Sequence, residues 1–135
     1  RKNIIRRSGE NIAAAEVEAA LQSHPAVSQA AVLAVKDELR EEEVMACVVL
    51  KAGYGAGLHV NDPLVRSLFD HCNKLLSYFK TPGWLWFTDE IPTTGTQKVQ
   101  KHQLFAAGLD PRAATGVIDL RQWKKRDSTR VTDSR

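Results

Sequence analysis

Cysteine is scarce in this sequence. Cys47 and Cys72 form no Cys-x-x-Cys pair, and no histidine stands at zinc-ligand spacing. A disulfide framework and a zinc site are therefore not expected, and both residues read as reduced thiols. Nowhere does an apolar run approach the roughly 20 residues that a membrane helix requires, so no bilayer span is expected. A surplus of one charge is lacking too: 19 Lys and Arg face 16 Asp and Glu, a net +3. Much of the excess sits at the ends, in Arg1, Lys2, Arg6 and Arg7 and again in Arg121, Lys124, Lys125, Arg126, Arg130 and Arg135. The stretch 37–43 is acidic and the aromatics lie apart from the basic ends, which speaks against a nucleic-acid partner, while a small phosphate-bearing ligand suits the local positive charge as well. No apolar segment follows the basic start, so no signal peptide is read and a cytoplasmic setting is the default expectation. The opening residues 1–5 read as the middle of a strand or linker, so a preceding region is expected.

What is present fits one domain. At 135 residues, 43% hydrophobic and 26% charged, the chain can bury a core but is small for an enzyme that encloses several substrates. Ile4 and Ile5 lead into Ser8-Gly9-Glu10-Asn11, a short extended segment turning at Gly9. Strong helix formers predict a helix over 13–23, with apolar positions at Ala15, Ala19 and Ala20, and Glu16 and Glu18 placed to suit its dipole. Pro25 ends it. Residues 27–35 and 44–50 are apolar and β-branched, so they read as a hairpin across a charged turn at 36–43. Gly53, Gly55 and Gly57 form a loop. Asp62 and Pro63 then resemble the cap and first residue of a helix whose apolar positions Leu64, Val65, Leu68, Phe69, Leu75 and Leu76 fall near 3.6 spacing, ending near Tyr78. Pro82 is followed by an aromatic strand at 84–87, a polar loop at 89–97 and a short helix over 99–107, while the tail after Asp127 is polar and expected to be disordered. The pattern predicts an α+β fold: a small, mostly antiparallel three-stranded sheet with helices packed on it, plus a short N-terminal β-hairpin. The expected division is a domain at 1–110 and a C-terminal extension at 111–135.

Two segments carry chemistry. The first is RKNIIRRSGENIAAAEVE at 1–18, and the second, within 80–101, is PTTGTQKVQK. The first resembles the hinge-and-glycine motif of the adenylate-forming family of acyl-CoA synthetases, peptide-synthetase adenylation domains and luciferases. Gly9, Glu10, Asn11, Ile12, Glu16, Val17 and Glu18 match that motif in register. The second is similar to the family's C-terminal lysine motif, P-x-T-x-x-G-K-x-x-R: Pro92, Thr94 and Lys98 keep its spacing and Lys101 supplies its basic residue. Gln97 stands where the family has Gly, with Gly95 displaced by two. HPAV at 24–27 and YFKTP at 78–82 fit as well, so the resemblance covers roughly residues 1–104.

The resemblance implies the mobile C-terminal lid domain of an acid–CoA ligase that uses ATP and coenzyme A, with Mg2+ bound by a larger N-terminal adenylation domain, its partner. That domain would also select the carboxylic acid substrate. In the implied reaction a carboxylate attacks ATP to give an acyl-adenylate and pyrophosphate, and a thiol then displaces AMP; the isolated chain is expected to be inactive. Lys98 would be the catalytic lysine, because an ammonium between two approaching anions offsets their repulsion in a water-poor site. Gly9, lacking a Cβ, would let the pantetheine arm pass. Lys2 takes the hinge position, where a residue at a domain boundary absorbs the rotation. Glu10, Arg6, Arg7 and Lys80 are the candidate cofactor contacts, a solvated charged face being the alternative for each basic residue. His24, His59, His71 and His102 have no ligand spacing or nucleophile partner and are assigned no catalytic role. Two other readings remain open at this level: an adenylation fragment that hands its acyl group to a carrier protein, and a stand-alone small α+β binding module.

Overall fold

The computed structural model describes residues 3–55, 58–95 and 98–125. Lys2, Gln97 and the tail beyond residue 125, all singled out from the sequence, lie outside these residues. Two strands, β1 (Ile4–Arg7) and β2 (Glu10–Ala13), pair antiparallel across Ser8 and Gly9. Both turn residues have positive φ, 51° and 82°, as in a type I′ turn, whose twist matches that of the strands it joins. Ile5 and Ile12 face each other in register and are buried, which fixes which side of the hairpin turns inward.

Helix α1 (Ala14–Gln22) follows directly and buries Ala14, Val17, Ala20 and Leu21. The periodicity of its alanines suggested Ala15 and Ala19, but both are exposed; with so many alanines the apolar pattern does not choose a face, and the larger Val17 and Leu21 decide it. Strands β3 (Val27–Asp37) and β4 (Glu41–Leu50) form the long hairpin. Its ladder runs further than the sequence suggested, through Val35↔Glu43, Lys36↔Glu42 and Asp37↔Glu41, so most of the expected charged turn is strand. Ladder bonds are made by the backbone, and charge on the side chains opposes them only if it must be buried unpaired.

Helix α2 (Pro63–Leu75) starts as its sequence dictates: the Asp62 carboxylate accepts from the Leu64 amide at 2.9 Å, and Pro63 takes the first position. It ends three residues before Tyr78, burying Val65, Leu68, Phe69 and Cys72. As the crossover between β4 and β5 (Trp84–Phe87), α2 lets these two strands pair in parallel. A last strand, β6 (Ile118–Asp119), adds to β5. The class is the expected α+β, but there is one sheet of six strands, not three plus a separate hairpin. The N-terminal hairpin joins it through Arg7↔Glu41 and through the Ser8 amide on the Arg40 carbonyl at 2.9 Å. Residues 99–107, expected as a helix, hold only a 3-10 turn at Lys101–Gln103. Their apolar residues Leu104 and Phe105 pack on the sheet instead, with Phe105 4.5 Å from Trp86.

Alternation along β4 separates two cores. Val44, Ala46 and Val48 face α1 and α2, whereas Met45 and Cys47 face Trp84, Trp86 and the segment around 104–117. Burial pushes both thiols, Cys47 and Cys72, up to about 12, so they remain protonated and unreactive.

Two polar devices hold these layers. Between α1 and α2, Ser23 Oγ lies 2.7 Å from His71 Nε2, and His24 Nε2 lies 2.8 Å from Ser67 Oγ. The Ala26 amide donates to His24 Nδ1 at 3.0 Å, so the ring carries its proton on Nε2 and is neutral. Burial, followed by the charge of His71, lowers the His24 pKa below 6.5. The second device is Glu43, 1% exposed, whose carboxylate accepts from Arg7 Nε at 2.9 Å and from Lys124 Nζ at 2.6 Å. Lys124 also donates to the Phe79 carbonyl at 2.9 Å. Desolvation pulls this ammonium down to about 8, against the opposing pull of Glu43. Around it Leu120 is buried and Trp123 stacks edge-on against Phe69 at 5.3 Å beneath Arg66, so residues 118–124 pack on the domain.

Protons bind the unfolded His24 first as pH falls through 6.5, so folding stability drops there, and the drop is expected to be shallower in His24→Asn. Urea unfolding of both proteins between neutral and mildly acidic pH measures it. A Cβ on Gly83 would stand 2.6 Å from Glu43 Cγ and Cδ. With that carboxylate fixed by two cations, Gly83→Ala is expected to cost about 1–3 kcal/mol in urea unfolding, and Glu43→Gln about 3–5 kcal/mol because Arg7 and Lys124 lose their partner.

Candidate functional site: a glycine turn and a lysine hairpin

The glycine turn projects from the sheet edge. Gly9 is exposed, and no residue approaches within 4 Å of where a Cβ would stand. Its φ of 82° lies in the left-handed region, so glycine is required there by the turn as well as by any close approach. Arg6 and Glu10, both exposed, flank it. The Arg6 amide donates to Glu42 Oε1 at 2.7 Å, and its guanidinium reaches Asn11 Oδ1 at 3.4 Å. Arg7 differs: at 5% exposure and paired with Glu43 it points into the fold. Arg7, singled out as a cofactor contact, thus has its guanidinium engaged by Glu43, a carboxylate that it shares with Lys124. Next to the turn lies an open cleft of about 410 Å³ lined by Arg7, Arg40, Arg121 and Lys124 together with Asp37, Glu43 and Asp119. Its Arg121 is held by Asp37 at 3.0 Å and Asp119 at 2.8 Å, and this hydrogen bonding keeps the Asp119 carboxyl below its ordinary range.

The two glutamates of α1 explain the EVE pattern in physical terms. Val17 is core, and the glutamates on either side reach for lysines from distant segments. Glu16 takes Lys80 Nζ at 2.9 Å. Glu18 Oε2 accepts from the Val32 amide at 2.8 Å and from Lys101 Nζ at 2.9 Å. Lys80, a half-buried candidate for cofactor contact, is thus already engaged by a carboxylate.

Lys98 stands in a hairpin made by its own backbone. Thr93 pairs with Val99, the Thr94 amide donates to the Lys98 carbonyl at 2.8 Å, and the Gln100 amide donates to the Pro92 carbonyl at 2.8 Å. The Lys98 amide in turn donates to Thr94 Oγ1 at 3.1 Å. The side chain is exposed, and among the described residues its ammonium has no partner. This is the converse of Lys80, Lys101 and Lys124, each of which is tied down. Gln97, in the family's glycine position, lies outside the described residues, as does Lys2.

The structure ties Lys80 and Lys101 to α1 through different glutamates and carries Gly9 and Lys98 on two separate hairpins. The Lys98 hairpin is tethered near Asn3, before β1, and Gly9 follows the far end of that strand. Four residues of strand put these ends roughly 13 Å apart. Sequence reasoning missed Glu43, Gly83 and Lys124 as a unit. Nothing local signals it, because the partners lie 36 and 81 positions from Glu43. Among the described residues no group of three His, Cys, Asp or Glu side chains is arranged to hold a metal ion, and no helix is long and apolar enough to cross a membrane.

The AMP-binding enzyme C-terminal domain family matches residues 16–98. Among similar proteins, a mitochondrial medium-chain acyl-CoA ligase of Danio rerio is 39% identical over 103 residues, 76% of this chain and 16% of its own. A benzoate–CoA ligase of Thauera aromatica is 39% identical over 105 residues, 78% of this chain and 19% of its own. Among solved structures, an acyl-CoA synthetase of Brucella canis superposes with a TM-score of 0.68 at 38% identity, over 76% of this chain and 18% of that one. The o-succinylbenzoate CoA synthetase of Bacillus subtilis, in complex with its acyl-adenylate intermediate, gives a TM-score of 0.65 at 34% identity, over 79% of this chain and 20% of that one. This chain therefore spans under a fifth of the length of these curated relatives. With a match running over more than half of its residues, the chain belongs to the AMP-binding enzyme C-terminal domain family.

Proposed function

We propose that this chain is the mobile C-terminal domain of an ATP-dependent acid–CoA ligase and that it serves the two half-reactions with different segments. The observation that carries this reading is the contrast among the lysines: Lys98 alone of the motif lysines is presented on a hairpin with its ammonium unengaged among the described residues, while Lys80 and Lys101 are bound to α1. In the first half-reaction a carboxylate oxygen of the substrate attacks the α-phosphorus of ATP. The bond to the bridging oxygen breaks and pyrophosphate leaves. Both approaching groups are anionic, and Lys98 Nζ, placed between them, lowers the energy of the crowded transition state. In the second half-reaction the sulfur of coenzyme A attacks the acyl carbonyl and AMP leaves. Gly9, whose surroundings are open, lets the pantetheine arm lie close to the backbone.

The separation of the two segments supports domain alternation. A domain that carries its two chemical segments on separate hairpins can present one of them at a time to a single centre, and a rotation exchanges them. Lys2 takes the hinge role in this proposal. Arg6 and Glu10 border the pantetheine path, and Lys80 reaches a coenzyme A phosphate only by leaving Glu16. Arg7 takes a structural part. The larger adenylation domain selects the carboxylic acid and binds ATP with Mg2+.

The test uses the full-length ligase. Lys98→Ala is expected to lower ATP–pyrophosphate exchange by about 10²-fold or more while thioester formation from supplied acyl-adenylate and coenzyme A survives. Gly9→Leu is expected to reverse the pattern. Persistence of both half-reactions in Lys98→Ala would overturn the assignment.

A further inference from the structure

Lys101 makes an unusual set of contacts for a half-exposed lysine. Its ammonium has three protons and three acceptors: the Val32 carbonyl at 2.6 Å, Glu18 Oε2 at 2.9 Å and Asn3 Oδ1 at 3.1 Å. The acceptors belong to β3, to α1 and to the residue immediately before β1. With Glu18 taking the Val32 amide at 2.8 Å, the two side chains satisfy both backbone groups of one residue on the edge strand. Asn3 is fixed independently, since its carbonyl accepts from the first amide of α1 at 2.8 Å, which has no side-chain cap. It adopts a φ of 63°, so the chain comes into the domain through a left-handed turn adjacent to Lys2. Only two residues separate Lys101 from Lys98, and Gln100 between them is bonded back to Pro92 at 2.8 Å.

From this geometry we propose that Lys101 is a positioning residue, a three-pronged clamp that locks the base of the Lys98 hairpin to Asn3 at the hinge side of the domain. Rotation at the hinge is thereby delivered to Lys98 as a rigid displacement. This rests on Lys98 being the adenylation lysine. The loss of an anchor that served only stability would weaken both half-reactions alike. A clamp that aims Lys98 bears on adenylation alone, where misplacement of a reacting group by about 1 Å is costly.

Four measurements test it. In the 135-residue chain, Lys101→Met is expected to accelerate hydrogen exchange of the Thr94, Lys98 and Gln100 amides by about tenfold or more. The Val48 and Leu85 amides should keep their protection, which shows that the fold survives. In the full-length ligase the same substitution should lower the ratio of pyrophosphate exchange to thioester formation by about tenfold or more. Asn3→Gly, which keeps the left-handed turn but removes the amide, should move that ratio in the same direction. In a Lys98→Ala background, Lys101→Met should have no further effect on exchange. Equal losses in both half-reactions, unchanged hairpin protection, or an undiminished effect in the Lys98→Ala background would each overturn the clamp. If Lys98→Ala collapses exchange and Lys101→Met does not, the clamp alone fails; if Lys98→Ala leaves exchange intact, the underlying assignment fails.

Discussion

A carboxylate in the interior, Glu43, sets the terms on which this small domain is assembled. A buried charge is tolerated only when it is paired and hydrogen-bonded. Glu43 meets that demand with Arg7 from β1 and Lys124 from the C-terminal segment, and so joins three parts of the chain that are far apart in sequence. The close passage of Gly83 beneath the carboxylate allows β5 to follow at its parallel register on β4. Through Arg7 the constraint reaches the glycine turn, which is the next pair along the hairpin. The turn thus rests on a fixed base although its tip is open.

The second half of the design is α1. Its short hydrophobic stripe packs on the sheet, and its two outward glutamates gather Lys80 and Lys101. Surface ion pairs of this kind contribute little individually, about 0–1 kcal/mol each. Their significance here is geometric. Glu18, Val32, Lys101 and Asn3 form one bonded cluster that links the lysine hairpin, the edge strand, the helix and the start of β1. On the proposed reading, a rigid body of this kind is what a rotating lid needs, because a floppy lysine loop would lose the orientation that the rotation delivers.

What could be read from the sequence was what is local. The Asp62 and Pro63 cap, the Ser8-Gly9 turn and the apolar, β-branched run at residues 44–50 depend on neighbours within a few positions, and each formed where its chemistry places it. The Gly9 and Lys98 segments stood out through motif spacing, and each turn is closed by backbone bonds between its own neighbours. Illegible features were those that need distant partners. A glutamate at 43 in a charged run reads as turn until Arg7 and Lys124 are seen beside it. Leu104 and Phe105 read as helix until Trp86 is seen to receive them. Strand β6 pairs through only two residues and depends on Leu120, Trp123 and Lys124 to hold it. The many alanines of α1 left its buried face undetermined until Val17 and Leu21 were placed.

The most direct test of the account is structural: the position of Lys98 Nζ in the full-length ligase with its acyl-adenylate bound in the adenylation state. Nζ is expected within about 3 Å of an oxygen on the acyl carbonyl or the α-phosphate, with the Gly9 turn remote from the thiol path in that same state. A Lys98 side chain directed to solvent while the Gly9 turn lines the adenylate would contradict it.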